Sequence, residues 1–196
     1  MGKARSTVGV IVALLTLAGA AAAQIERKPT AQEIAAIRDC VAKYRDDVAE
    51  GERNCLFNLV ATPCTKRPEG SSNVGTADCY RIEWAIWDEL LNKNFKSLLD
   101  TLDQSQALKA RAMQRAWVVY RDTTCNFYMD KIQGTMAIPM QSACAARETA
   151  RRALLLDFLS RMWAGGARAR SRGASAPESL RRYFKHPAAE PDRVTP

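Results

Sequence analysis

The chain has 196 residues and a formal net charge of +8. Much of this charge lies at the two ends: the first 23 residues hold two basic residues, and the segment from residue 164 onward holds seven basic and three acidic residues. The region between them carries a net charge of only +2. The basic composition therefore does not indicate a nucleic-acid-binding face on the folded part of the chain.

The N-terminal segment has the pattern of an export signal. Lys3 and Arg5 precede an apolar run at 8–20, and an A-x-A cleavage site stands before Gln24. The apolar run is too short to span a bilayer, and no cysteine near the cleavage site indicates a lipid anchor. We expect a signal peptide over 1–23 and a mature protein in the periplasm or outside the cell, the alternative being an uncleaved anchor.

The mature chain begins with a predicted amphipathic helix. Thr30 is a candidate N-cap, and Glu33 stands where a capping box needs it. Apolar residues then recur at spacings of three and four until the helix is expected to end near Gly51. A second short helix is expected over 52–61, with Pro63 as its end.

The segment 64–79 is predicted to be a loop, because it is rich in Gly, Pro, Ser and Asn. It is long for a compact domain and has a cysteine at each end. If these cysteines paired or were otherwise bridged, the loop would be tied, and long tied loops are often functional. The alternative is a solvated connector with no function of its own.

Two long helices follow, over about 78–102 and from about 107 to 131. The first carries an apolar stripe with two tryptophans, and the second an apolar stripe formed by Leu108, Ala112, Ala116, Val119 and Thr123. Only a short turn at 103–106 separates them. We therefore expect the two helices to pack antiparallel against each other.

A last helix is predicted over 141–163, after a break through Gly134 and Pro139. From residue 164 the composition changes to Arg, Ser, Ala and Pro, which predicts a disordered basic tail over 164–196. The fold class expected is all-α, a small bundle of four to five helices over 24–163 that forms one domain.

Six cysteines, all after the signal segment, predict three disulfides in an oxidising compartment. We favour Cys125 with Cys144. The other four pair either as neighbours or as a nested set: Cys40 with Cys55 and Cys64 with Cys79, or Cys40 with Cys79 and Cys55 with Cys64. No C-x-x-C occurs, and the only histidine, His186, lies in the tail, so we expect neither a metal nor another cofactor.

The segment 114–125 places Trp117, Arg121 and Cys125 on one helical stripe, with Tyr120 beside them. Such aromatic residues are more often core than recognition surface. Arg121 and Asp122, with Glu83 and Asp88 on the preceding helix, predict a partly buried ion pair between the two helices. Without a histidine, a free thiol or a phosphate-binding loop in the domain, we do not expect an enzyme.

Two segments resemble the family described as the lysozyme inhibitor LprI N-terminal domain: Glu83-x-x-x-Trp87-Asp88-x-x-Leu91-Asn92, and Trp117-x-x-Tyr120-Arg121-Asp122-x-x-Cys125 followed by Cys144. The resemblance covers about 55–159. It implies an exported helical domain in which Cys125 and Cys144 pair, in a family named for lysozyme inhibition. The chain departs from the pattern at Leu56-Phe57, where Ile-Gly is expected, and at Gln133-Gly134-Thr135, where Gly-Gly-Ser is expected.

An inhibitor needs a rigid element that enters the lysozyme cleft and meets its two catalytic carboxylates. We expect this element in the first tied loop, at Lys66, Arg67, Ser71 and Ser72; the alternative is the second loop, at Lys131 and Thr135. A competing function is binding of anionic lipid or acidic glycan through tail residues Arg168, Arg170, Arg172, Arg181, Arg182 and Lys185.

Overall fold

The computed structural model describes residues 27–171, with side chains through residue 164. Within that range the chain forms six α-helices and no β-strand, which confirms the all-α prediction. The helices are α1 (Ala31–Lys43), α2 (Val48–Cys55), α3 (Ala61–Thr65), α4 (Asn73–Leu99), α5 (Gln104–Lys131) and α6 (Ala137–Ser171), with a 3₁₀ turn at Pro68–Gly70. None of the helices in this range is long and apolar enough to cross a membrane. The predicted signal peptide lies outside the described residues.

The first helix begins as predicted and ends earlier. Thr30 and Glu33 form the capping box, each side chain accepting a hydrogen bond from the other's backbone N–H. The prediction that α1 ends near Gly51 is wrong, because Asp47 caps a new helix, α2, by accepting from the N–H of Glu50 at 3.0 Å. Gly51 lies inside α2, where a Cβ atom would stand 3.3 Å from a methyl group of Leu154. The glycine is therefore a point of close approach between α2 and α6.

Two prolines that were predicted to end or precede helices lie in first turns instead. Pro63 is in the first turn of α3, and Pro139 is in the first turn of α6. A first-turn N–H has no acceptor within its own helix, so a proline there costs no hydrogen bond. The predicted loop over 64–79 is also shorter in the structure. Ser72 caps α4, which starts at Asn73, and only 66–72 connects α3 to α4.

The core lies mainly between α4 and α6. Trp87 of α4 is fully buried, and three alanines of α6, Ala146, Ala150 and Ala153, are at most 1% exposed. Small side chains at these positions let the two helix backbones approach closely. The indole N–H of Trp84 donates to the hydroxyl of buried Thr149 at 3.1 Å, which adds a polar link between the helices.

Helix α5 packs on α6 and makes little contact with α4. The prediction that the two long helices pack against each other is therefore wrong, because α6 occupies the face of α4 that α5 was expected to cover. As a result the apolar stripe of α5 points away from the core: Leu108 is 63% exposed and Val119 65% exposed. The face of α5 that packs on α6 includes Ala110 and Cys125, both buried.

Each of three disulfides joins consecutive helices. Cys40–Cys55 ties α1 to α2, Cys64–Cys79 ties α3 to α4, and Cys125–Cys144 ties α5 to α6. Of the two arrangements left open for the first four cysteines, the structure has the neighbouring pairs. Closing a loop of this length stabilises a fold by about 3 kcal/mol in the chain-entropy model.

The last helix is longer than predicted. Its backbone continues through Ser171, eight residues into the segment 164–196 for which a disordered tail was predicted. The remainder of the predicted basic tail, 172–196, lies outside the described residues, as do the side chains of Arg168 and Arg170. The tail's binding to an anionic surface stays a prediction from the sequence.

Candidate functional site

The first tied loop is a compact turn over 66–72, which we call the first connector. Its hydroxyl groups are used locally: Ser72 caps α4 by accepting from the N–H of Gly75 at 3.0 Å, and Ser71 donates to the carbonyl of Pro68 at 2.7 Å. Arg67 pairs with Glu69 at 3.2 Å, with both side chains about half exposed. Lys66 is exposed and forms no ion pair with any residue that the structure describes.

Two glycines allow the first connector to fold tightly. A Cβ atom on Gly70 would lie 2.4 Å from the carbonyl oxygen of Cys64, and one on Gly75 would lie 2.0 Å from that of Glu69. Neither distance is compatible with a side chain. The hydroxyl of Thr76 also donates to the carbonyl of Gly70 at 2.8 Å. Together with Cys64–Cys79, these contacts hold the first connector against the start of α4.

The second tied loop, 132–136, joins α5 to α6, and we call it the second connector. Gly134 has φ of +83°, a left-handed conformation that glycine adopts without steric cost. The sequence departs from the family pattern at Gln133, where a glycine is expected, and it keeps a glycine at the position that needs one. The disulfide Cys125–Cys144 flanks this connector on both sides.

The two connectors meet. The side-chain amide of Asn73, the first residue of α4, donates to the hydroxyl of Thr135 at 2.9 Å. We call the combined surface, formed by 66–73 and 132–136, the connector edge. The two loops were expected as alternatives, whereas in the structure they form one surface. Among the side chains that it exposes are a basic one, Lys66, and an apolar one, Met136, which is 52% exposed.

Asn73 and Met136 were missed by sequence analysis. Asn73 and Thr135 are 62 residues apart, and no local pattern marks residues that meet only through tertiary packing. Lys131, the other candidate of the second loop, has its amine 5.4 Å from the ring centroid of Phe127 at the end of α5. This cation–π contact orients the lysine next to the connector edge.

The predicted ion pair between α4 and α5 is wrong. Arg121 pairs with its neighbour Asp122 at 2.8 Å, and Asp88 accepts from the side chain of Asn92 at 3.0 Å on its own helix. Glu83 contacts no arginine in the described structure; it is fully buried and faces backbone amides. The physical reason is that α6, rather than α5, packs along α4.

Glu83 fastens the segment between α2 and α3 to α4. One carboxylate oxygen accepts from the N–H of Phe57 at 2.7 Å and from the indole of Trp87 at 3.0 Å, and the other accepts from the N–H of Ala61 at 2.9 Å. Burial raises the pKa of Glu83, while these three hydrogen bonds oppose the rise. The carboxylate has no access to solvent, so it cannot act on a substrate.

The tryptophan of the second family segment lies between α5 and α6. The guanidinium groups of Arg121 and Arg152 stand over the Trp117 ring, 5.1 Å and 5.6 Å from its centroid. Arg152 is buried, which lowers its pKa, and its Nε donates to the side-chain oxygen of Gln114 at 3.0 Å. Trp117 is thus partly buried against the core, as expected, whereas Tyr120 is 54% exposed and does not belong to the core.

A cleft of about 420 Å³ lies at the turn between α4 and α5, also missed by the sequence analysis. It is mainly apolar, with lining residues that include Leu98, Leu102, Met113 and Trp163. The connector edge is at the other end of α4, about 40 Å away for a helix of this length. Within residues 27–164, no group of three or more His, Cys, Asp or Glu side chains could hold a metal ion.

Comparison with known proteins places part of this chain in a family. Residues 64–156 match the family model described as "Lysozyme inhibitor LprI". The matched region starts at Cys64, contains both connectors and ends within α6, so α1, α2 and their disulfide lie outside it. No curated protein and no solved structure matches the chain. The resemblance to this family seen in the sequence is therefore confirmed for residues 64–156, a little under half of the chain.

Proposed function

We propose that this protein is an exported, non-enzymatic lysozyme inhibitor that binds its target through the connector edge. The family match supports the class of target, because it covers both connectors and the two long helices α4 and α5. The hydrogen bond between Asn73 and Thr135 is the observation that carries the choice of surface. It joins two disulfide-flanked loops, so that they present one preformed surface.

Preorganisation favours this edge as a binding surface. A flexible loop must lose conformational freedom when it enters a cleft, and this loss weakens binding by about 0.5–1.5 kcal/mol for each side chain that becomes fixed. The first connector is already held by Cys64–Cys79, by the close approach at Gly70 and Gly75, and by the cap at Ser72. The backbone of this loop is therefore ordered when the protein folds, and binding has to fix only exposed side chains such as Lys66.

The chemistry of the edge suits the target. Glycoside hydrolases of the lysozyme type place two carboxyl groups on either side of the scissile bond, so the floor of the cleft attracts a cation. Lys66 offers an exposed amine that is not neutralised by an ion pair within the described structure. Met136 offers apolar surface and Thr135 a hydroxyl next to it. We propose that Lys66 approaches the catalytic carboxylates while the second connector contacts the wall of the cleft.

The test is an inhibition assay on the oxidised mature protein with c-, g- and i-type lysozymes hydrolysing cell walls. Inhibition of at least one type, lost when the disulfides are reduced, is the expected result. Absence of inhibition of all three types at about 100 µM, a concentration that would saturate even a weak inhibitor, would contradict the proposal.

A variant that ends at Ser171 serves as the control for the basic tail. This boundary keeps the whole of α6, whereas ending at residue 163 would remove part of the helix. We expect the shortened protein to inhibit as well as the complete one. Loss of inhibition on removal of 172–196 would assign the activity to the tail instead.

A further inference from the structure

The exposed side of α5 is unusually apolar. Leu108, Val119, Tyr120 and Phe127 are 63%, 65%, 54% and 56% exposed, and the exposed residues Ala112 and Ala116 lie between them on the same side. From Leu108 to Phe127 this face extends for about 29 Å along the helix. Within residues 27–164 no other helix packs over it, because α6 covers the opposite side of α5. The amine of Lys131 stands over the ring of Phe127 at its C-terminal end. We call it the α5 face.

The charges around the α5 face are divided between its two halves. Lys109, Arg111 and Arg115 lie in the N-terminal half, whereas the C-terminal half holds Asp122 and Asp130 with a single exposed lysine, Lys131, at its end; all six are exposed. Two copies of this helix side by side in parallel would bring like charges together. An antiparallel pair would bring the basic half of each copy to the half of the other that holds Asp122 and Asp130.

The sizes of the side chains agree with the same arrangement. With a two-fold axis close to Val119, Phe127 of one copy stands opposite Ala112 of the other, so a large side chain meets a small one. Arg115 and Asp122 are seven residues apart and therefore lie on the same edge of the face, and in an antiparallel pair these edges meet. Asp122, although paired with Arg121, keeps 52% of its side chain exposed.

We propose that the α5 face binds a second copy of this chain, antiparallel, about a two-fold axis near Val119. A contact confined to one helix from each copy falls in the small class of interfaces, so the dimer should dissociate in the micromolar range. The connector edges of the two copies would lie at opposite ends of the paired helices, about 40 Å apart, and would both remain accessible. The dimer is independent of whether those edges bind lysozyme.

Sedimentation equilibrium of the complete mature protein, from about 1 to 300 µM, tests the proposal. A reversible monomer–dimer equilibrium is expected. Val119→Glu should weaken dimerisation at least tenfold, because it places two carboxylates next to the two-fold axis. Ala85→Glu, at an exposed position of α4, is the matched control and should leave the equilibrium unchanged. Circular dichroism confirms that both variants remain helical.

The register has its own test. Arg115→Glu and Asp122→Arg should each weaken the dimer several-fold, and the double variant should restore it, since the charges then exchange places. A protein that is monomeric throughout the concentration range, or a dimer that Val119→Glu leaves intact, would overturn the proposal. Failure of the double variant to recover would overturn the antiparallel arrangement. Loss of the dimer on deletion of 172–196 would identify the tail as the contact instead.

Discussion

The carboxylate of Glu83 accepts a hydrogen bond from the backbone N–H of Ala61 at 2.9 Å, inside the core. Through this bond and a second one from the N–H of Phe57 to the same carboxylate, α4 holds the segment 56–60 between α2 and α3 in place. Cys55 stands at the end of α2 just before this segment, and Cys64 lies in α3 just after it. Both cysteines are at most 1% exposed. A single buried carboxylate therefore positions the segment that leads into α3 and the first connector.

Glu83→Gln should lower the free energy of unfolding by about 1–3 kcal/mol. An amide can accept on one side only, so its NH₂ group would face either the Ala61 N–H or the two donors at the other oxygen. Denaturant unfolding monitored by circular dichroism measures the loss. Glu89→Gln, an exposed position on the same helix, is the control and should change stability by less than about 0.5 kcal/mol.

The dependence of stability on pH should separate two glutamates. Burial raises the pKa of Glu83, so the folded chain holds this proton more tightly than the unfolded chain, and its contribution to stability falls as pH rises through the folded-state pKa. The hydrogen bond from Arg27 lowers the pKa of Glu33 to about 2, so its contribution is lost as pH falls below about 4. The free energy of unfolding plotted against pH should fall on the acid side because of Glu33, and at higher pH because of Glu83. Glu83→Gln should remove only the fall at higher pH. If the fall at higher pH were unchanged in that variant, it could not be attributed to Glu83.

At position 57 a glycine variant should be more stable than an alanine variant, the reverse of the order found at most positions. Phe57 has a φ of +65°, in the left-handed region, which costs a residue with a Cβ atom about 1 kcal/mol or more. Its ring packs edge-on against Tyr80 with centroids 5.0 Å apart. Both Phe57→Gly and Phe57→Ala lose this packing, but only glycine also relieves the strain. The glycine variant should therefore be about 1 kcal/mol more stable than the alanine variant, measured by thermal unfolding. The opposite order would show that the backbone there is not strained.

Gly75→Ala should destabilise the first connector, since the new methyl group would lie 2.0 Å from the carbonyl oxygen of Glu69. We expect a loss of about 1–3 kcal/mol in unfolding and a weaker inhibition of lysozyme. Gly51→Ala is the matched comparison: its methyl group would meet a Leu154 side chain at 3.3 Å, which can move, and alanine is the better helix former. That variant should be near neutral in stability and in inhibition. Equal effects of the two substitutions would contradict the role of the close approach.

Local signals in the sequence were sufficient for the parts of the fold that depend on neighbouring residues. The capping box at Thr30 is formed by residues three positions apart, and α1 begins where they predict. The cap at Asp103 has the same local form, but 103–106 was predicted to be a turn, so the start of α5 at Gln104 was missed. Disulfides between neighbouring helices were also within reach, although spacing alone left two arrangements open. The roles of Pro63 and Pro139 were predicted wrongly, because a proline in a first turn has the same local sequence context as one that ends a helix.

Tertiary relationships could not be predicted in the same way. Helix α5 has apolar residues on two sides, and the pattern does not say which side the rest of the chain covers. The more hydrophobic stripe, with Leu108 and Val119, was assigned to the core, but the structure buries the side with Ala110 and Cys125 because the disulfide to Cys144 holds it against α6. The contact between the two connectors, from Asn73 to Thr135, likewise depends on how α5 packs on α6.

The central claim is that the connector edge binds lysozyme, and the inhibition constant of the double variant Lys66→Ala/Arg67→Ala tests it most directly. Both side chains are exposed on the edge, so the fold should be unaffected. Lys93→Ala, at an exposed position of α4, is the control for loss of a positive charge elsewhere. We predict that the double variant inhibits at least tenfold less well, about 1.4 kcal/mol of binding, while the control inhibits normally. An unchanged inhibition constant for the double variant would contradict the account.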